Sequence, residues 1–194
     1  MISEHIKRFA GKSVLEFNHE KGIVNKDAVY RLRTDYDGPD FDEVWQAFIS
    51  HKNASGVEEL VIGMWGQESD DSSASVIEKL VAAKDTLSKL KHLFLGDIVG
   101  EENEISWIQQ SDLSPLFKAF PLLETLRVRG GGGLEIKKPA HDKLTKLIIE
   151  TGGLSKEVVK QLCKAKFPAL EHLELWLGTE EYGGDVEPKD LAPI

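Results

Sequence analysis

Several things are scarce in this chain, and each scarcity removes a class of protein. There is one cysteine, Cys163, so no internal disulfide can form and the fold must rest on packing. That usage fits a reducing compartment. No apolar run is long enough to cross a bilayer, and the opening Met1-Ile-Ser-Glu-His-Ile-Lys-Arg8 is charged, without an apolar stretch of signal-peptide length. A cytoplasmic protein with no membrane partner is expected. Basic charge is also short. Lys and Arg number 24 against 33 Asp and Glu, a net charge of −9, which repels phosphate backbones and makes nucleic acid a poor partner.

Recognisable catalytic spacing is missing too. There is no Gly-x-Ser-x-Gly. The histidines His5, His19, His51, His92, His141 and His172 lack metal-ligand spacing, and no calcium-loop pattern occurs. Gly130–Gly133 is not followed by Gly-Lys-Ser/Thr, so it reads as a flexible turn. Gly11-Lys12-Ser13 has Ile6 where a phosphate loop needs its first glycine. Cys163 lies on an apolar helical stripe and reads as inert core, as do Trp45 and Trp107. These features predict a protein that is not an enzyme, with no cofactor and no metal.

What the chain does have is a repeat. The pattern apolar-x-x-apolar-x-apolar occurs at Val57–Ile62, Leu90–Leu95, Leu123–Val128, Leu144–Ile149 and Leu170–Leu175, with a weaker sixth copy at Val29–Thr34. Within each copy the apolar residues alternate, as on a strand with one buried face. Between copies lie helical stripes. These are Phe41, Val44, Trp45 and Phe48, then Ile77, Leu80 and Val81, then Leu116, Phe117 and Phe120, then Val158, Val159 and Leu162. Ser114-Pro115 reads as an N-cap followed by proline, and Ser155 as a second cap.

Strand and helix in alternation require parallel strands with crossover helices. The spacing from Leu60 to Leu93 and from Leu93 to Leu126 is 33 positions, then 21 to Leu147 and 26 to Leu173. Those lengths lie in or near the roughly 20–29 residues of leucine-rich repeats, and the 21-residue unit has no room for a full helix. The expected fold is an α/β leucine-rich-repeat horseshoe, a solenoid with a curved parallel sheet on the concave face and helices on the convex face. Residues 1–40 are expected to form an N-terminal β-containing cap and residues 41–194 the repeat array. An open doubly wound sheet is the alternative.

Phe94-Leu-Gly-Asp-Ile98, Glu104-Ile-Ser-Trp-Ile-Gln-Gln-Ser-Asp112, Leu126-Arg-Val-Arg-Gly130, Ala169-Leu-Glu-His-Leu-Glu-Leu-Trp-Leu-Gly-Thr179 and Tyr182-Gly-Gly-Asp185 carry a more specific likeness. From about Trp45 onward the chain resembles an uncharacterised family of bacterial leucine-rich-repeat proteins. The resemblance implies a cytoplasmic repeat protein and no established activity. One departure from ordinary repeats is the position after each strand. It holds Trp65, Ile98, Gly131, Gly152 and Gly178 rather than the usual asparagine, and glycine there points to positive φ or close backbone approach. Asp190–Ile194 looks like the start of another repeat helix. No polar capping unit follows, so the natural product is expected to be longer, or a partner or second copy to cover the C-terminal edge.

Aligning the repeats puts three columns of side chains on the concave face. They are Glu59, His92, Thr125, Lys146 and His172; then Val61, Phe94, Arg127, Ile148 and Glu174; then Gly63, Gly96, Arg129, Glu150 and Trp176. Mixed aromatic and charged residues are typical of binding surfaces. A non-catalytic module binding a protein or peptide through Phe94, Arg127, Arg129, Glu150, Glu174 and Trp176 is expected. A second reading for Arg129 and Glu150 is that they pair with each other. The loops after the strands are acidic: Glu68, Asp70 and Asp71, then Asp97, Glu101, Glu102 and Glu104, then Glu180, Glu181 and Asp185. They form either a solvated rim or, in the rival reading, a site for a cation, a basic partner, or an accessory or metal-dependent enzymatic role.

Overall fold

The computed structural model describes residues 2–35, 37–66, 68 and 70–193. Tyr36, within the expected N-terminal cap, and Ile194, at the end of the expected C-terminal helix start, lie outside the described residues.

Eight strands stand in chain order in one curled sheet: β1 Arg8–Phe9, β2 Lys12–Glu16, β3 Val29–Leu32, β4 Glu59–Ile62, β5 His92–Leu95, β6 Thr125–Arg129, β7 Lys146–Glu150 and β8 His172–Leu175. From β2 to β8 every pairing is parallel. The sheet is not parallel throughout, because β1 pairs antiparallel with β2 across the two-residue turn Ala10-Gly11. A two-residue connection permits only that direction.

Leu60, Leu93, Leu126, Leu147 and Leu173 stand side by side on β4 to β8. Register differs from expectation only at β3. There Tyr30 and Leu32 face Leu60 and Ile62, two residues away from the alignment that the weak copy at Val29 suggests. A shift of two leaves every side chain on the same face, so hydrophobic alternation cannot detect it.

Helices α1 Phe41–Ile49, α2 Ala74–Ala82, α3 Ser114–Ala119 and α4 Lys156–Leu162 cover one face of the sheet. A last short helix, α5 Pro188–Leu191, adds Leu191 to the edge of the same core. At nine residues or fewer these helices lie below the roughly 12–15 residues that hold in water alone, so packing sustains them. Val44, Trp45, Phe48, Ile77, Leu80, Leu116, Val158 and Val159 bury against the strand leucines in one continuous core.

The Asp40 side chain accepts from the Glu43 amide at 2.8 Å to cap α1, and Ser155 caps α4 through the Glu157 amide. Ser114 is not the cap of α3. Asp112 accepts the Ser114 amide at 2.9 Å, which draws Ser114 into the first turn. No helix lies between β6 and β7. The backbone crosses there through bridges from Gln109 to Gly132 and from Asp112 to Glu135.

Two glycines show why a side chain is excluded where strands leave the sheet. Gly96 has φ +97°, and a Cβ there would stand 2.5 Å from the Arg129 carbonyl oxygen. Gly178, at φ +66°, would collide with the Gly152 carbonyl. At the other end of the array β8 is the outermost strand. Phe167, Leu170, Leu173 and Leu175 are only partly buried there, beside an open concavity of about 210 Å³. Among the described residues no helix is long and apolar enough to cross a membrane.

Candidate functional site

Alternate strand residues opposite the helices form the second face of the sheet. Pairing places Val29, Glu59, His92, Thr125, Lys146 and His172 in one row, and Arg31, Val61, Phe94, Arg127, Ile148 and Glu174 in the next. Arg129 lies beside Glu150. The residues singled out from sequence therefore share one face, but they do not share one environment.

Phe94, Arg129 and Glu150 are buried, which removes them from the expected contact surface. Two causes act. The first is a chain of ion pairs running along the face. The Arg129 Nε donates to Glu150 at 2.8 Å, and its Nη1 lies 3.4 Å from Asp97 and donates to the Ile98 carbonyl at 2.9 Å. Arg127 Nε donates to the other Glu150 oxygen at 2.7 Å, and Arg31 Nε donates to Asp97 at 2.8 Å. Arg129 and Glu150 thus pair with each other. Burying charges at this depth requires such compensation, and Arg129 is only 2% exposed. Asp97, expected on the acidic rim, is instead the fully buried hub between Arg31 and Arg129. Burial pushes its carboxyl up, but the bond to His5 and the two guanidiniums outweigh it and hold the group below the usual carboxylate range.

The second cause is the chain's own beginning. Residues 2–9 cross β3 to β5 on this face. Phe9 joins Val29, Val61 and Phe94 in a small apolar cluster, its ring 6.2 Å from that of Phe94. Ile6 and Val14 fill its margin. Nδ1 of His5 lies 3.0 Å from the Asp97 carbonyl oxygen, and its Nε2 lies 3.3 Å from Glu102. Bonds to Asp97 and Glu102 push the His5 imidazole up to about 9. Nothing in the alternation of residues 2–9 says which face they cover. The only local signal is Phe9 directly before a tight Ala-Gly turn.

The rest of the face is open. Trp176 is 40% exposed, and its indole N–H donates to Glu174 at 2.8 Å. His172 lies 3.3 Å from the same carboxylate. The Trp176 bond and His172 hold Glu174 below its ordinary value. Arg127, half-buried, stacks 4.3 Å from the Phe94 ring centre. Ile148 and Lys146 are partly exposed between them. Trp107, expected in the core, is instead 57% exposed among the rim loops. It lines an open cleft of about 350 Å³ with Met64, Glu68, Glu102 and Glu104. Trp45 is buried, and Cys163 is partly buried at the end of α4. Among the described residues no group of three or more His, Cys, Asp or Glu side chains is placed to hold a metal ion.

No family model and no curated protein matches the chain. A solved structure does: a protein from Bacteroides fragilis determined as a structural-genomics target. It is 34% identical, with a TM-score of 0.77, over 84% of this chain and 46% of that one. The chain thus spans less than half the length of the protein it matches.

Proposed function

We propose that this chain is part of a bacterial cytoplasmic leucine-rich-repeat solenoid, related to the uncharacterised family it resembles, and that it acts as a non-catalytic module binding a protein or peptide. The binding surface is the helix-free face of β6 to β8, with Trp176, Arg127, Glu174 and Ile148 at its centre. The observation that carries this reading is the exposed Trp176–Glu174 pair beside half-buried Arg127, set on strands whose opposite side is a continuous core. Tryptophan and arginine are the residues that most often dominate binding energy, and a side chain held by a neighbouring hydrogen bond loses little freedom on binding.

A displayed peptide library panned against the full chain tests this. Enriched peptides are expected to bind at least tenfold more weakly to Trp176→Ala and to Arg127→Ala. Peptides that bind all three proteins alike, or a failure to enrich any, would reject this face.

A further inference from the structure

The β3–β5 half of the helix-free face already has an occupant, and the way it is held shows what the face recognises. Residues 2–9 make few backbone ties to the body. The ladder to β2 spans two residue pairs, extended by the Val14 amide donating to the Lys7 carbonyl at 3.0 Å. Ala10 and Gly11 follow, both at positive φ, with the Arg8 guanidinium closing the turn onto the Gly11 carbonyl.

Beyond that turn the contacts are those of a docked segment. The Ile6 amide donates to the Asp97 carboxylate at 3.3 Å, Arg31 Nη2 donates to the Ile6 carbonyl at 2.6 Å, and the Gly100 amide donates to the Ile2 carbonyl at 2.8 Å. His5 reaches Asp97 and Glu102, and Phe9 fills the slot between Val29, Val61 and Phe94. The segment bends at Glu4 and Lys7, whose side chains pair with each other, and Ile6 packs beside Phe9 on the Val29, Val61 and Phe94 cluster. His5 and Phe9 are its two anchors, one on the Asp97 and Glu102 carboxylates and one in the apolar slot. Beneath them β3, β4 and β5 are hydrogen-bonded to one another, and Arg31, Asp97, Arg129 and Glu150 are ion-paired among themselves. The body needs no bond from the arm to complete its ladder.

We propose that residues 2–9 are a displaceable strap. They hold the β3–β5 half closed in cis, and a partner segment with a cationic side chain and, four residues on, an aromatic ring takes their place. This rests on the reading of the face as a peptide-binding surface and names both its ligand class and its regulation. A strap tethered by a two-residue turn has an effective concentration in the millimolar range, so a free segment competes poorly until the strap is loosened.

The test uses the full chain, as wild type and as the double variant His5→Ala, Phe9→Ala, with a fluorescein-labelled peptide of residues 2–10 as probe. The variant is expected to keep a cooperative melt and its circular dichroism, while the Gly100 amide exchanges at least tenfold faster. The probe is expected to bind the variant at least tenfold more tightly than the wild type, and a probe carrying both substitutions to bind neither. Equal binding to both proteins, no binding to the variant, or unfolding of the variant together with unchanged Gly100 exchange in His5→Ala alone would each overturn the proposal. Since the probe is the chain's own segment, its result is independent of whether library peptides depend on Trp176, and the two readings can fail separately.

Discussion

The two halves of the helix-free face are built on the same strand rows, yet the β3–β5 half is largely core, while in the β6–β8 half only the Arg129–Glu150 pair is interior. Phe94 and Ile148 occupy one row, two strands apart. Phe94 is fully buried under Phe9, while Ile148 remains partly exposed. Likewise Arg31 is locked against Asp97 and the Ile6 carbonyl, whereas Glu174 at the far end of the row is partly exposed, bonded to His172 and Trp176 and within the field of Arg127. The difference is not one of strand geometry or alternation. For Phe94 it comes from eight residues at the start of the chain, which lie over β3 to β5 and not over β6 to β8, whereas Arg129 and Glu150 on β6 and β7 are buried with their ion pairs. A side chain's place in a repeat tells which face it is on, and a segment outside the repeat decides whether that face is wet.

Substitutions can sharpen or break this contrast. The largest effect is expected at the hub. Asp97→Ala leaves Arg31 and Arg129 buried without their shared carboxylate and should destabilise the fold by about 3–5 kcal/mol in urea titrations. A cost below about 1 kcal/mol would mean that the network does not bind the covered half together. Next is the row itself. Phe94→Ala is expected to cost about 3 kcal/mol or more, and Ile148→Ala about 1 kcal/mol, by the same measurement. Equal costs would erase the distinction between the halves. Phe9→Ala should cost about 2 kcal/mol, less than Phe94→Ala because a released arm leaves no enclosed cavity.

The pH dependence tests the covered half without altering a ring. His5 faces Asp97 and Glu102, with Arg31 beside Asp97 and Arg33 beside Glu102. Its folded pKa of about 9 lies above the unfolded 6.5. The stabilisation from His5 is therefore complete below pH 6.5, declines above it, and is gone once the pH has risen past about 9. The stability gap between wild type and His5→Ala should close over that window, and the imidazole should titrate near 9 by NMR. A midpoint near 6.5 would show that His5 is not held by the carboxylates. The smallest expected effect belongs to the open half. Trp176→Ala should change stability by no more than about 0.5 kcal/mol in urea titrations, because the ring is exposed and its one bond is to an exposed glutamate.

Much of the framework was legible beforehand because it depends on period alone. The leucine spacing locates β4 to β8, and the stripes locate the helices between them. Glycine after the strands reports backbone crowding of the kind found at Gly178. Three things were not legible. The two-residue shift of β3 preserves every face, so alternation is blind to it. Asp97 reads as one more acid in an acidic loop, since nothing local reveals Arg31, 66 positions away, or Arg129, 32 positions away. Trp107 reads as core because it is large and apolar, but the 100–107 loop leaves it at the rim.

By itself the sequence determined the order of the elements and the face on which each strand residue sits, because both follow from short-range periodicity and the local geometry of the backbone. The tertiary structure alone decided that Phe94, Arg129 and Glu150 are interior while Arg127 and Trp176 can be reached. Burial is a property of everything that lies within a few ångströms, and here what lies closest comes from segments that are 20 to 90 residues distant along the chain.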